Sequence, residues 1–427
     1  MDHLAYLNHF KLLRGIGMLP PMVPIRQSLD VERLHDVTGA MRQTLCKLEL
    51  AQKVTPGMRV GIPVGSRGIR DIVAIVREAA RFVKALGAQP VVVAAMGSHG
   101  GGTVEGQLHI LHSLGIREES IGAPVLGSVD AEEVGRTADG TPVYFDRVLL
   151  GCDGLLVINR VKPHTSFRGP LESGLVKMLV VGCGKPVGAR QFHRFGAAEL
   201  GSRLVEMGQI LVNRLPILGG IAILENGREE TADLVPVYPE TFIQQEQEIL
   251  ERARQLLPRL PVRDLDLLVV DEMGKNISGT GMDTNVIGRI GLPGVPDAGP
   301  RVKRVVVLDL TAESHGNANG MGLADLVTRR FASKVDFNAT YLNALTTTFV
   351  ERAKLPITLE SDREVVETAL RTIGSPPSPR IIRIRNTLEL ERMLVSPAVL
   401  QELAGRPDIQ VEGDPRPWGF DAAGNLF

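Results

Sequence analysis

"MRVGIPVGSRGIRDIVAIVREAARFVKALGAQPVVVAA", Met58 to Ala95, contains a complete strand, helix and strand. The runs "MRVGIPV" and "QPVVVAA" are short and almost wholly apolar, as strands covered on both faces are. Between them, "IRDIVAIVREAARFVKAL" repeats its apolar residues at helical spacing. Two strands joined by so long a crossover pair in parallel, which predicts an α/β sheet with helices on its faces. Binding sites in such sheets lie beyond the carboxyl ends of the strands.

The pattern extends outward from this unit. The helix "GQLHILHSL" follows, then strand candidates "TPVYFDRVL" and "DGLLVINRV", the helical stretch "ESGLVKMLVVG" and the strand "GGIAIL". A charged surface helix, "PETFIQQEQEILERARQLL", closes the series, and "PRLPVRD" breaks it with two prolines. The expected organisation is therefore α/β throughout, in two domains with parallel or mixed sheets, spanning residues 1–257 and 262–427. The second begins with "LDLLVVDEMG" and continues with "VKRVVVLDL", a helical "ANGMGLADLVTRRF" and "RIIRIRN". Its glycine-rich loop "GKNISGTGMDTNVIGRIGLPGVPDAGP" is too long for a mere connector.

A chain of 427 residues suits two cores, and its 44% hydrophobic content can fill them. The net charge of -1 provides no global field for nucleic acid or anionic lipid, and 4% aromatic content argues against base-stacking platforms. Cys46, Cys152 and Cys183 are too few and too scattered for a disulfide framework or a cysteine-rich zinc site. The N-terminal "MDHLAYLNHFKLLRG" does not read as a signal peptide, and no apolar run reaches the roughly 18 to 20 residues that span a bilayer. A cytoplasmic protein with a small polar ligand is expected.

Four stretches carry candidate chemistry. In "GSHGGGT", Gly97 to Thr103, the glycines permit a sharp turn, Thr103 caps the next helix, and free amides of Gly101, Gly102 and Thr103 would suit an anion. A turn alone has no need of His99. In "NRVKPHTSFRGPLESGLVKMLVVGCGKPVGARQFHRFG", Pro163 holds His164 in a loop, a helix from about Pro170 carries Lys177, and His193 lies in the next connection. Lys177 sits where a helix should bury its face, and Lys162 and Lys185 compete with it for a functional role. In "PVGSRGIRD", Arg67 points to the same strand-end rim as His99 and suits a carboxylate or phosphate. In "GKNISGTGMDTN", Lys275 and Asn276 would close over the site from the second domain.

Together these residues resemble the nickel-dependent lactate racemase family, which uses a nickel-pincer nucleotide. The resemblance implies a site in the cleft between two α/β domains. It implies a thioamide tether at Lys177 and a nickel ligand at His193, 16 positions later, which favours Lys177 over Lys162 and Lys185. It further implies His99 and His164 as an acid/base pair, Ser66, Gly101, Gly102 and Thr103 as nucleotide contacts, and Arg67 and Lys275 as substrate contacts. The family's Asp-x-Thr-Arg motif reads "VGSR" here, with Val64 in place of the aspartate and Ser66 in place of the threonine. The segment from His164 to Lys177, "HTSFRGPLESGLVK", is also longer than in the lactate enzymes, which points to a divergent branch.

The implied reaction is racemisation or epimerisation of a 2-hydroxy acid. Its α-hydrogen leaves as hydride while the hydroxyl proton passes to a base, and histidines suit that role near neutral pH. The implied partners are the 2-hydroxy acid and the enzymes that build the cofactor. Two other readings stay open from the residues alone. One is a metal held by His99, His164 and His193 for hydratase or lyase work; the other is a nucleotide- or anion-binding regulatory protein.

Overall fold

The computed structural model describes residues 19–29 and 32–427, so the N-terminal stretch read above against a signal peptide lies outside the described residues. The described chain forms two compact units. One contains residues 32–258 and 292–296, and the other residues 19–29, 259–291 and 297–427. The chain passes between them at Pro258 and Arg259, within the proline-rich break.

In chain order the strands are β1 (Val23–Gln27), β2 (Arg59–Val64), β3 (Gln89–Ala94), β4 (Val125–Leu126), β5 (Ala131–Arg136), β6 (Pro142–Asp146), β7 (Gly154–Arg160) and β8 (Ile217–Glu225). They continue as β9 (Thr231–Val237), β10 (Asp264–Met273), β11 (Arg301–Leu310), β12 (Leu326–Thr328), β13 (Ile357–Leu359), β14 (Ile381–Ile384), β15 (Arg392–Val395) and β16 (Ile409–Val411). The helices used below are α1 (Val37–Lys47), α2 (Ile72–Ala85), α3 (Val104–Ser113), α4 (Lys185–His193), α5 (Leu200–Arg214) and α6 (Phe242–Leu256).

The first unit is built on a six-stranded sheet in the order β4-β3-β2-β7-β8-β9. Neighbours are parallel except β9, which runs antiparallel to β8. From β2 the chain moves outward to β3 and β4, and from β7 it moves the other way to β8. The gap between β2 and β7 is therefore a topological switch point, the place where such sheets bind ligands beyond the strand ends. The helix expected from its spacing forms as α2 and turns Ile72, Ile75, Val76, Ala79, Ala80 and Val83 inward. These pack with Val60, Ile62 and Val64 of β2, Val92 of β3, and Met41 and Leu45 of α1 in one core.

The second unit has an eight-stranded sheet in the order β13-β12-β11-β10-β14-β15-β1-β16. Alternate residues of its central strands face opposite cores: Leu268, Val270, Val305 and Val307 lie in one, and Leu267, Val269, Val306 and Leu308 in the other. Burial on both faces explains why these strands read as continuous apolar runs. Among the described residues no helix is long and apolar enough to cross a membrane.

Three expectations need correction. The domain expected over residues 1–257 loses its start, because β1 pairs antiparallel with β15 and β16 in the second unit. The predicted strand "TPVYFDRVL" forms as β6, but it pairs with β5 in a separate hairpin and not with the main sheet. The stretch "ANGMGLADLVTRRF" is not one helix; it breaks into a short turn, β12 and a helix over Arg329–Ser333. Gly322 explains part of this, since a Cβ there would lie 2.1 Å from the carbonyl of Glu351.

Lys185 is committed to the fold. It is fully buried, its ammonium pairs with the buried Asp146 at 2.8 Å, and it also donates to the carbonyl of Ala94 at the end of β3. That pair fastens the β5–β6 hairpin to the sheet. Lys185→Ala leaves Asp146 buried without its counter-charge and is expected to cost about 3–5 kcal/mol in urea unfolding; a loss below about 0.5 kcal/mol, as at a surface site, would contradict this role.

Candidate active site

The carboxyl ends of β2, β3 and β7 gather the candidate residues of the first unit. After β3 the chain turns through Gly97, Gly100, Gly101 and Gly102, all at positive φ. Gly100 is required there, since a Cβ would sit 2.5 Å from the carbonyl carbon of Gly106. Thr103 caps α3 by accepting from the amide of Gly106 at 3.1 Å. The amides of Gly102 and Thr103 donate within the turn, to the carbonyls of His99 and Gly100, while the space around Gly101 is open. His99 is exposed, and its Nδ1 shares a short hydrogen bond with the hydroxyl of Ser66 on the loop after β2.

After β7 a long loop carries His164. Its base is closed by Asn159, which donates to the carbonyl of Gly174 at 2.8 Å, and by paired backbone bonds between Lys162 and Ser173. Within it, the amide of His164 donates to Oε2 of the buried Glu172 at 2.6 Å, and Arg168 donates to the carbonyl of His164. The imidazole lies on Phe167, with ring centroids 4.3 Å apart, and its Nδ1 accepts from the amide of Ser166 at 3.0 Å. Glu172 is itself held by Arg254 of α6 at 2.7 Å.

The helix bearing Lys177 starts at Leu175, not at Pro170, and passes into a π-helical turn over Met178–Gly182. Glu246 of α6 decides where it starts. Its buried carboxyl accepts from the amide of Val176 at 2.8 Å, and only a glycine fits at 174, where a Cβ would lie 2.0 Å from Glu246 Oε1. Burial pushes the Glu246 carboxyl up to about 8 against the pull of the Val176 and Leu175 amides, so it is largely neutral at pH 7. Irregular turns of this kind are frequent at functional sites. This turn packs on the strand ends: Gly97 donates to the carbonyl of Gly182 at 3.0 Å.

Lys177 makes no hydrogen bond or ion pair with the described residues; its ammonium lies 5.9 Å from the Phe167 ring centroid. Desolvation, then the charge of Arg67, lower its pKa from 10.5 to about 7, with Glu172 opposing. Arg67 is exposed at the rim and has no hydrogen-bonding or ionic partner among the described residues; partial desolvation of its guanidinium, then the nearby Arg160, lower its pKa. His193 is the last residue of α4 and not in a connection as expected. Desolvation and Lys177 lower its pKa to about 4, so it is a neutral imidazole at pH 7, and its Nδ1 is buried with no partner. Arg67, Lys177 and His193 thus form a polar group whose heads no described residue satisfies.

The structure brings together Ser66 with His99, and Arg67, Lys177 and His193 through their mutual electrostatic influence. Lys275 lies in the other unit, where its ammonium donates to the carbonyl of Gly279 at 2.7 Å and to Asn343 at 2.6 Å. No three His, Cys, Asp or Glu residues among those described converge to hold a metal, so nothing supports a three-histidine centre. Sequence reasoning missed Glu172, Glu246 and Ser166. Glu246 was legible in principle, since it falls on the buried stripe of Phe242, Ile249, Leu250 and Ala253.

No protein-family model and no curated protein matches the sequence. Among solved structures, the chain is similar in fold to the lactate racemase apoprotein from Thermoanaerobacterium thermosaccharolyticum. The TM-score is 0.54 at 10% identity, over 87% of this chain and 99% of that one. A Thermotoga maritima protein from a structural-genomics programme matches more loosely, with a TM-score of 0.43 at 16% identity over 63% and 70% of the two chains. The chain therefore has a lactate racemase-like α/β fold.

The shift at Lys177 has a signed consequence for stability. Its amine titrates near 7 when folded and near 10.5 when unfolded, so between these values the unfolded chain binds more protons and stability rises with pH. Below about pH 7 the penalty is fully present. Lys177→Met is therefore expected to raise the urea midpoint most at and below pH 7, with the gain fading as the pH approaches 10.5. A change in midpoint that is flat across this range would show that Lys177 is solvated.

Proposed function

We propose that this chain is a racemase or epimerase of 2-hydroxy acids that works with a nickel-pincer nucleotide held on Lys177. The observation that carries the reading is the pairing of a desolvated Lys177 amine with a buried His193 Nδ1, neither of which has a hydrogen-bonding partner among the described residues. Both lie in the unit whose sheet has its switch point between β2 and β7, and the fold is similar to that of a lactate racemase apoprotein.

The residues fit the group. Lys177 would hold it as the thioamide nitrogen, for which the neutral amine is the competent form, and a pKa of about 7 leaves about half of it neutral at pH 7. His193 would ligate the nickel as a neutral imidazole. A cofactor that brings its own sulfur and carbon donors needs only one ligand from the protein, which accords with the absence of a three-residue metal cluster among the described residues. When bound, the group supplies a reversible hydride acceptor.

The remaining work belongs to the protein. Arg67, bonded to no carboxylate among the described residues, would bind the substrate carboxylate bidentately and fix its orientation. His99 and His164 would meet oxygen atoms of the substrate, and the proton of the 2-hydroxyl would pass to an imidazole. Phe167 and Phe192, both buried and 6.3 Å apart between His164 and His193, keep water from that flank. The R group of the acid would be set by loops whose contacts with substrate have no counterpart in the fold comparison.

The test uses protein co-expressed with the cofactor-making enzymes and given single enantiomers of 2-hydroxy acids, lactate and larger homologues included. Chiral chromatography is expected to show the opposite enantiomer from at least one acid, with loss of activity on adding sulfite, which attacks pyridinium rings. Nickel-loaded protein that interconverts none of them overturns the reading.

A further inference from the structure

The two histidines at the strand ends are held in chemically different ways. His164 Nδ1 faces the backbone amide of Ser166 at 3.0 Å, a group that only donates. The ring must offer it a lone pair, so the hydrogen of the neutral imidazole is on Nε2 and that nitrogen cannot accept a proton. A second hydrogen on Nδ1 would point at the Ser166 N–H. His99 Nδ1 faces the Ser66 hydroxyl, which donates or accepts by rotating about its C–O bond. His99 can therefore carry its hydrogen on either nitrogen and switch between base and acid.

Rotating the peptide out of the way would not be cheap at His164. The amide of His164 is bound by Glu172, its carbonyl by Arg168, and its ring by Phe167. Glu172 is buried and fastened by Arg254, and the loop is closed below by the Lys162–Ser173 pair. Releasing the Ser166 amide disturbs all of these together. Among the described residues nothing comparable binds Ser66, whose hydroxyl can rotate about its C–O bond.

We infer that His99 alone carries the hydroxyl proton of the substrate, with Ser66 as its positioning residue, and that His164 is a fixed Nε2–H donor to a substrate oxygen, locked by the Ser166 amide. In the forward step the O–H bond breaks and its proton forms the N–H bond at His99 Nε2. The O–H electron pair would form the C=O bond while the α-hydrogen departs with the C–H electron pair as hydride, for which the nucleotide proposed above would supply the acceptor. Racemisation then needs the 2-oxo acid to turn over within the site, present its other face to the hydride, and recover its proton from the same His99. This account rests on the proposed racemase reading for its substrate, whereas the tautomer it assigns belongs to the chain alone.

Two measurements test it. Nitrogen-15 NMR of the cofactor-free protein at pH 7.5, with His164 assigned by its loss in His164→Gln, is expected to show Nε2 bearing the hydrogen and Nδ1 hydrogen-bonded as an acceptor. An Nδ1–H tautomer or an imidazolium at His164 overturns the inference whether or not the protein is a racemase. In loaded enzyme, His164→Gln keeps an N–H donor near the Nε2 position and is expected to slow interconversion only about tenfold. His164→Leu, which removes the donor, should cost about 100-fold, and His99→Gln about 1,000-fold or more. Equal losses in His164→Gln and His99→Gln would restore two equivalent bases and refute a single proton carrier.

Discussion

A half-buried, largely desolvated lysine amine beside a guanidinium, with no carboxylate among the described residues bonded to either, is the constraint on which the site is organised. Charge in such a place is costly, and a protein ordinarily relieves it with a counter-ion or a shift in protonation. Here nearby acids are engaged elsewhere: Glu172 binds Arg254 and the His164 amide, and Glu225 binds Arg160. What is left at Lys177 is an amine whose pKa falls to about 7, about half of it neutral at pH 7. The neutral amine is the form the proposed covalent tether would require, and the neutral imidazole of His193 is the form the proposed metal ligation would require.

The fold creates this situation by where it places irregular backbone. The π-helical turn after Lys177, the glycine turn before α3 and the His164 loop all sit at strand ends of one parallel sheet. Each is held by a buried polar group: Glu246 for the start of the Lys177 helix, Gln107 for the carbonyl of Gly97, Glu172 for the His164 loop. Rigid support of this kind is what holds reactive groups in place. In the second unit the loop after β10 has its own polar cluster, in which Thr311 joins Asn276 and Ser314 while Lys275 reaches Asn343.

Much of the first sheet was legible because each strand buried on both faces reads as an apolar run and α2 repeats its apolar residues on one side. Where tertiary contacts outweigh local pattern, the reading went astray. β1 looks like a short isolated strand, and only pairing with β15 and β16, more than 350 residues away, assigns it to the second unit. β6 carries the composition of a core strand yet forms a hairpin fastened through Asp146. His99, His164, Lys177 and Arg67 stood out because their side chains are anomalous in glycine-rich or apolar surroundings. Glu172 and Glu246 did not, since a carboxylate in a charged helix or loop looks solvated until the packing around it is known. The spacing to His193 favoured Lys177 through the resemblance alone; the structure adds that Lys185 is spent on Asp146, whereas Lys177 makes no hydrogen bond or ion pair with the described residues.

The most direct measurement is peptide mass spectrometry of protein matured with the cofactor-making enzymes and shown to contain nickel. The account predicts a mass increment confined to the peptide containing Lys177, with the peptides of Lys162 and Lys185 unmodified. An unmodified Lys177 in that nickel-containing protein, or an increment on another lysine, would contradict it.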